Sequence, residues 1–372
     1  SSGQPESFTL LKTNLFINNA KNIKLNLNYF NHADKNYSYR FQGKPIQNQL
    51  YKNKLKDVLN IKDLSNEKIT EIHKNIACSV QKIFEDKLLE ICSELRKSDF
   101  SSNLVFAGGC ALNSLANKKI HDSNLFNKIF IPYAPGDGGG SIGAALYVSK
   151  KKYKKYKLTN IISPYVGPEF DNISIENDIK KYKDKYDFSY EFIEEKKELY
   201  KKIANKIFEN KIIGHFNGKM EFGARALGNR SILANPCNPE IKDIINKKIK
   251  RRESFRPFAP AILFEKKSEW FNNKRSNPYM SAVEDILENK KKFIPGVTHI
   301  DGTGRVQTVT KEINSDFYML IEEFANLSNV PIILNTSFNE NEPIVLNSTH
   351  ALNCFFRTNM DILVMNNYII YK

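Results

Sequence analysis

Seven of the ten arginines in this chain (Arg225, Arg230, Arg251, Arg252, Arg256, Arg275, Arg305) fall between positions 225 and 305, although lysine supplies most of the 56 basic residues. Arginine offers a planar fork of donors that matches phosphate or carboxylate, so this clustering points to anion chemistry. Two glycine-rich turns point the same way. Ala107-Gly108-Gly109-Cys110-Ala111-Leu112-Asn113 follows an apolar strand-like stretch, and Pro135-Gly136-Asp137-Gly138-Gly139-Gly140 follows another. Glycines let the backbone approach an anion, and a helix opening after the turn offers free N–H groups. Asp137 could reach a metal from its loop or satisfy its own turn, and the first loop alone reads equally well as a tight turn. Four further segments complete the set: Gly218 to Ser231 with three glycines and three cations, Lys250 to Pro260 with cations among aromatics and prolines, Asp301-Gly302-Thr303-Gly304-Arg305, and Asn335-Thr336-Ser337-Phe338-Asn339.

Elements must hold these segments. Residues 1–60 read as extended or loop structure. Ser65 reads as the N-cap of a long helix whose Ile69, Ile72, Ile76, Val80, Ile83, Leu88, Ile91 and Leu95 make one buried face. Strands over 103–106 and 128–131 each run into a glycine turn and then a helix, over 110–117 and 141–148. Residues 163–168 (SPYVGP) read as a linker. Beyond it the spacing predicts helices over 198–209, 241–250, 315–325 and 349–356. Strands are predicted over 211–216, 259–264, 305–309, 331–335, 361–365 and 368–371. This is an α/β chain of two domains, 1–162 and 163–372.

Composition excludes several classes. The 372 residues are 41% apolar and 26% charged, with a formal net charge of +15. No window holds the roughly 18 apolar residues of a membrane span, and the polar start lacks a signal peptide's apolar core. Cys78, Cys92, Cys110, Cys237 and Cys354 form no CxxC, which suits a reducing cytoplasm. Lysine runs such as 150–152 and 290–292 read as solvated surface, so nucleic-acid binding by the bulk charge is not expected. No HxxxH or HExxH occurs among the six histidines, and His299, two residues before Asp301, reads either as a helper at the site or, more readily, as a core or surface histidine.

Taken in order, eight blocks resemble the O-carbamoyltransferases of the nodulation-protein and antibiotic-tailoring type. They are AGGCALN (107–113), PGDGGGSIGAAL (135–146), PYVGPEF (164–170), GKMEFGARALGNRSI (218–232), IKRRESFRPFAPAIL (249–263), THIDGTGRVQTV (298–309), NTSFNENEPIV (335–345) and DILVMNNYIIYK (361–372). The resemblance implies the back part of an ASKHA-type (actin/hexokinase-like) transfer domain followed by a YrdC-like α/β twisted-sheet domain. In such enzymes carbamoyl phosphate and ATP, with Mg²⁺, give carbamoyl adenylate in the YrdC-like domain. The carbamoyl group then passes to a hydroxyl-bearing small molecule at a divalent metal, iron by the family pattern, in the ASKHA-like domain.

Carried over position by position, the family pattern puts Arg225, Arg230, Lys250, Arg256, Arg305 and Ser337 along the adenylate-forming pocket, with Asn335 beside it. Gly108, Gly109, Asn113, Gly138 and Gly139 would hold nucleotide, and Asp137 would bind the metal. The family's front lobe, which carries an HxxxH metal pair, has no counterpart here. That implies a truncated chain, a front lobe on a separate polypeptide, or a diverged protein. Lys219 stands where Arg is usual, and His215 where an aromatic is usual. Two other readings share the features: a non-catalytic nucleic-acid-binding YrdC-like module, and an enzyme making threonylcarbamoyl adenylate for tRNA.

Overall fold

The computed structural model describes residues 69–153 and 163–372 without a break, and before them 11, 16–17, 24–33, 38–41, 45–47, 49–59 and 61. By its internal contacts the chain divides into two compact units, Ser1–Ser102 with Lys119–Phe126, and Asn103–Lys118 with Asn127–Lys372. The first unit holds two antiparallel strand pairs (16–17 with 24–25, 39–41 with 45–47), a short helix at Asn53–Val58 and the long helix α1 (Glu71–Lys97). The short helix departs from the extended reading of this region. Helix α1 starts after Thr70, whose side chain and that of His73 form a reciprocal cap. The Ser65 cap lies outside the described residues.

The apolar face predicted for α1 is mostly uncovered. Ser79, Ile83 and Cys92 are buried, whereas Ile69, Ile72, Val80, Ile91 and Leu95 are exposed. A helical repeat specifies that an apolar face exists; only neighbouring elements decide whether it is covered.

β1 (Asn103–Val105), in the second unit, and α2 (Ser114–Asp122), which the division between the units cuts after Lys118, flank a 3-10 turn at Gly109–Leu112. The predicted helix over 110–117 is divided because the Asn113 side chain accepts Ala116 N at 3.1 Å and starts α2 anew. Strand β2 (Lys128–Phe130) pairs in parallel with β1 and leads to α3 (Gly139–Lys152). There follow α4 (Asn172–Lys183), β3 (Ser189–Phe192), α5 (Lys196–Phe208), β4 (Ile213–Phe216), β5 (Arg230–Ala234) and α6 (Ile241–Ile245). The chain closes with β6 (Ala259–Leu263), β7 (Gln307–Val309), α7 (Ser315–Ser328), β8 (Ile332–Ser337), α8 (Ser348–Arg357), β9 (Ile362–Met365) and β10 (Tyr368–Tyr371). Periodicity did not reveal α4, β3 or β5.

Strands β3 to β10 form one eight-stranded mixed sheet in the order β7-β6-β8-β5-β4-β9-β10-β3. Its central strands are fully buried apolar runs such as Ile362–Met365, as expected where both faces are covered. Helices α5 and α7 pack on each other, α7 also on β6 and β8, and α8 against β4 and β9. Helix α5 buries Leu199, Tyr200, Ile203, Ala204 and Ile207, the stripe a 3.6-residue period places together. The mixed α/β class matches the expectation. No described helix is long and apolar enough to cross a membrane.

One ion pair is sealed beside the sheet. Lys267 and Glu284 meet at 2.6 Å with side chains 1% and 2% exposed, and Lys267 Nζ also donates to Asn273 Oδ1 (2.8 Å) and Arg275 O. Removing one partner leaves the other charge buried and alone. Lys267→Met is therefore expected to cost about 3–5 kcal/mol, measured by urea unfolding, with much of the loss recovered when Glu284→Gln is added.

Candidate active site

Strand registers bring four loops to one end of the sheet. Phe216, at the end of β4, pairs with Arg230 at the start of β5, and Ser231 pairs with Ser337 at the end of β8. Asn335 pairs with Ala259 at the start of β6, and Ala261 with Gln307 at the start of β7. The segments 217–229, 246–258, 298–306 and 338–342 therefore emerge together, carrying most of the arginines singled out above.

The 217–229 segment has almost no regular structure, and two buried side chains of opposite charge organise it. Glu221 Oε1 accepts the backbone N–H groups of Leu227 (2.7 Å), Asn229 (2.7 Å) and Arg230 (3.3 Å). The Arg230 guanidinium donates to the carbonyls of Asn217 (2.9 Å), Asn229 (3.0 Å), Gly218 (3.1 Å) and Pro168 (3.3 Å) and stacks on Phe216 at 3.7 Å. Arg230 is 0% exposed. In this structure its guanidinium is spent on backbone carbonyls and is not on the open surface. Burial pushes the Glu221 carboxyl upward despite its N–H donors.

Asn335 is likewise buried beneath this loop. Its Nδ2 donates to Gln307 Oε1 (2.8 Å) and Ala226 O (3.3 Å), while Oδ1 has no hydrogen-bond partner among the described residues. Gln307 Nε2 and the Tyr165 hydroxyl both donate to Leu227 O at 2.8 Å.

Held at the tip of this loop, Arg225 reaches Leu112 O at 3.4 Å, in the first glycine turn. Arg305 lies within electrostatic reach of Arg225, Arg252 and His299. Its Nε is buried without a hydrogen-bond partner, and no ion pair holds it among the described residues. Burial first, and then the neighbouring Arg225 and Arg252, draw its guanidinium well below the usual range. Arginines collected without carboxylates are costly unless an anion completes them.

Lys250 ends a π turn over 246–250 and is 2% exposed. Its ammonium donates to Ser337 O (2.5 Å), Ser337 Oγ (3.2 Å), Asn339 O (2.8 Å) and Asn339 Oδ1 (2.7 Å). It thus shapes the 337–339 turn, and burial pulls its pKa down to about 7. Arg256 sits at the rim, half exposed, with Nε 2.9 Å from Glu253. The structure therefore brings Arg225, Arg256, Arg305, Lys250 and Ser337 to one end of the sheet and turns Arg230 and Asn335 inward.

The glycine turns lie in the same unit and interlock with these loops. Gly108 N donates to Pro135 O at 2.6 Å, joining the first turn to the second. A Cβ on Gly139 would stand 2.0 Å from Ala134 O, and one on Gly223, whose φ is +126°, would stand 2.5 Å from Tyr133 O. Only glycine allows these approaches. Asn117, 0% exposed, donates through Nδ2 to Ala111 O and Ser281 O, both at 2.7 Å, and Tyr133 meets Tyr279 edge to face at 5.6 Å.

A cavity of about 620 Å³ is lined by Gly108, Asp137 and Gly139 with the apolar Phe130, Ile142 and Leu146. Gly138 faces the Phe222 ring, Gly109 opens the 3-10 turn and Asn113 caps α2. Asp137 is exposed, and among the described residues no group of three or more His, Cys, Asp or Glu could hold a metal ion. A single exposed carboxylate falls short of a divalent metal's ligand set, so the described residues alone do not fit the metal expected at Asp137.

Arg252 and Asn246 belong to the site but were not among its expected residues. The signal for Arg252 was its place in the dense arginine run; nothing in the sequence distinguished Asn246. His299 also stands closer to the site than expected, with Nδ1 3.1 Å from Thr303 Oγ1 and Arg305 in electrostatic reach.

Two outcomes follow. Glu221→Ala removes the acceptor of three buried backbone N–H groups, so it is expected to cost about 2–3 kcal/mol and to speed tryptic cleavage at Arg225. Burial draws His299 from 6.5 down to about 4. Between those values the unfolded chain binds more protons, so stability falls as pH drops through that window. The Tm of His299→Gln, followed from pH 7 to 4, should fall less steeply than that of the parent.

The description "Carbamoyltransferase N-terminus" matches residues 10–146, and "Carbamoyltransferase C-terminus" matches residues 204–372. The chain is 34% identical over 397 residues to an uncharacterized protein of Synechocystis sp., covering 100% of this chain and 62% of that protein. It is 36% identical over 308 residues to nodulation protein NolO of Bradyrhizobium diazoefficiens, covering 82% and 55%. Nodulation protein NolNO of Sinorhizobium fredii is 35% identical over 308 residues, covering 82% and 45%. The chain thus spans between 45% and 62% of the length of these relatives. Among solved structures, full-length HypF in its phosphate- and nucleotide-bound form is similar at 17% identity and a TM-score of 0.33, covering 65% of this chain and 37% of that one; a likeness this weak carries no argument. Both glycine turns fall in the N-terminal match and the arginine cluster in the C-terminal one, and with the two matched in order the chain belongs to the carbamoyltransferase family.

Proposed function

We propose that residues 163–372 form carbamoyl adenylate from carbamoyl phosphate and ATP as a YrdC-like domain. Residues 1–162 contribute the back of an ASKHA-like domain in which the carbamoyl group passes to a hydroxyl-bearing small molecule, completed by a front lobe. The observation that supports this reading is Arg305, partly buried with its Nε enclosed, which stands beside Arg225 and Arg252 with no carboxylate partner among the described residues. Water splits carbamoyl phosphate into carbamate and phosphate. A carbamate oxygen then attacks the α-phosphorus of ATP, the new O–P bond forming as the bond to the β-bridging oxygen breaks, and pyrophosphate leaves.

In this scheme Arg225, Arg305 and Arg256 offset the repulsion between the two anionic substrates and the charge that develops in the transition state. Lys250 and Ser337 hold the turn beneath the phosphates rather than contacting them in this conformation. The glycine turns at 108–109 and 138–139, with Asn113, form the nucleotide cradle of the second step.

The test is pyrophosphate release by the purified chain given ATP, with and without carbamoyl phosphate. Release that needs carbamoyl phosphate and falls roughly 100-fold or more in Arg305→Ala is expected. No release from the parent chain overturns the reading, and release that needs bicarbonate and threonine instead reassigns the adenylate.

A further inference from the structure

The strand pair that opens onto the 217–229 loop grips one glycine by both of its backbone groups. His215 of β4 lies opposite Ser231 of β5. Ser231 Oγ accepts the Gly228 N–H at 3.0 Å, and His215 Nδ1 stands 2.6 Å from Gly228 O. A carbonyl oxygen only accepts, so Nδ1 carries a proton and His215 is the donor. Gly228 has little room to shift, since its φ is +120° and a Cβ there would stand 2.5 Å from the Phe317 ring. This hold lies three residues after Arg225, where the loop rejoins the sheet.

The rest of the imidazole is enclosed. His215 is 0% exposed, and its Nε2 has no hydrogen-bond partner among the described residues. Three packed elements bring titratable or charged groups to the ring. Tyr200 of α5 stacks obliquely 6.3 Å away, and Asp316 of α7 and Arg230 of β5 stand in electrostatic reach. On the other side of β4 the neighbour is the apolar Val364 of β9. Asp316 Oδ2 is already engaged, accepting Lys196 Nζ at 2.6 Å and Asn217 Nδ2 at 2.9 Å. A second proton on His215 would add an N–H at Nε2 and a charge, in a place that offers that N–H no acceptor and already holds Arg230. Burial, opposed by the Gly228 bond and by Asp316, keeps the imidazole below its ordinary 6.5.

We propose that His215 is a proton-controlled positioning residue: neutral, it pins Gly228 and with it the end of the loop that carries Arg225, and protonated, it lets that end go. When the loop lifts, water reaches the ring and the imidazole regains its ordinary affinity for a proton. The lifted form then binds more protons than the closed form below 6.5, so lifting is favoured as pH falls through that window, by up to about tenfold per pH unit for one proton. The inference goes beyond the adenylate-forming reading given above and shares with it only the importance of Arg225.

The test is hydrogen–deuterium exchange of the full chain without substrates, followed on peptides from 217–229 between about pH 7.5 and 5.5 and corrected for the intrinsic pH dependence of amide exchange. Opening of the parent loop should rise up to about tenfold per unit below 6.5, while peptides from β9 stay protected. His215→Asn keeps an N–H donor near the Nδ1 position but gains no proton. It should stay closed at neutral pH and open by less than about three-fold per unit, the remainder belonging to Glu221, whose carboxyl burial pushes upward. His215→Phe keeps a ring without the donor, so its loop should be roughly tenfold more open already at neutral pH, with no steeper response to acid. A parent loop whose corrected exchange is flat across the window overturns the inference, and so does a His215→Asn loop that follows the parent's slope. A chain that opens on this pattern yet releases no pyrophosphate leaves the inference standing and overturns the adenylate-forming reading alone.

Discussion

The site depends on how an irregular segment is buried. Residues 217–229 cross one end of the sheet with almost no ladder or helix to satisfy their backbone, and burial of unpaired N–H and C=O groups costs free energy. Glu221 collects three backbone N–H groups and Arg230 collects four carbonyls, so one acid and one base replace the missing secondary structure. Neither side chain is available to a ligand while it does so. What they make available is Arg225, carried at the tip of the loop against the first glycine turn.

A second constraint opposes the first. Arg305, Arg225 and Arg252 stand near one another where burial already disfavours charge. A structure selected for stability alone would place carboxylates there, as it does at Lys267 and Glu284. Arg305 instead has no carboxylate partner among the described residues, the kind of conflict between stability and function that binding sites show. Buried amides and hydroxyls offset part of the cost by fixing geometry. Asn246 orients Arg252, Asn335 and Gln307 brace the loop under Arg225, and Lys250 shapes the Ser337–Asn339 turn.

Much of the architecture was readable from local pattern. The strands and helices of the closing stretch, from Ser315 to Tyr371, fall within a few residues of where their apolar spacing places them. Strand β5 escaped because it begins at Arg230, inside a glycine- and arginine-rich run that carries no strand period. Helix α1 shows the opposite limit. Its apolar repeat is real, yet Ile72, Ile91 and Leu95 face outward, since the repeat says nothing of what lies opposite.

The sequence by itself determined the chemistry on offer: arginines gathered in one stretch of a lysine-rich chain, glycines after two strands, and a set of ordered blocks that identifies the family. Residue type and spacing along the chain suffice for that, because donors, charge and backbone freedom belong to each residue. Which arginine is consumed under the loop and which stays at its tip was decided only by tertiary structure. Arg225 and Arg230 are five positions apart in one motif, and the fold sends one to the first glycine turn and the other beneath the loop. Asn246 and Asn335 are ordinary asparagines until packing removes their water. Burial then makes every polar contact consequential, and burial is a property of the assembled fold.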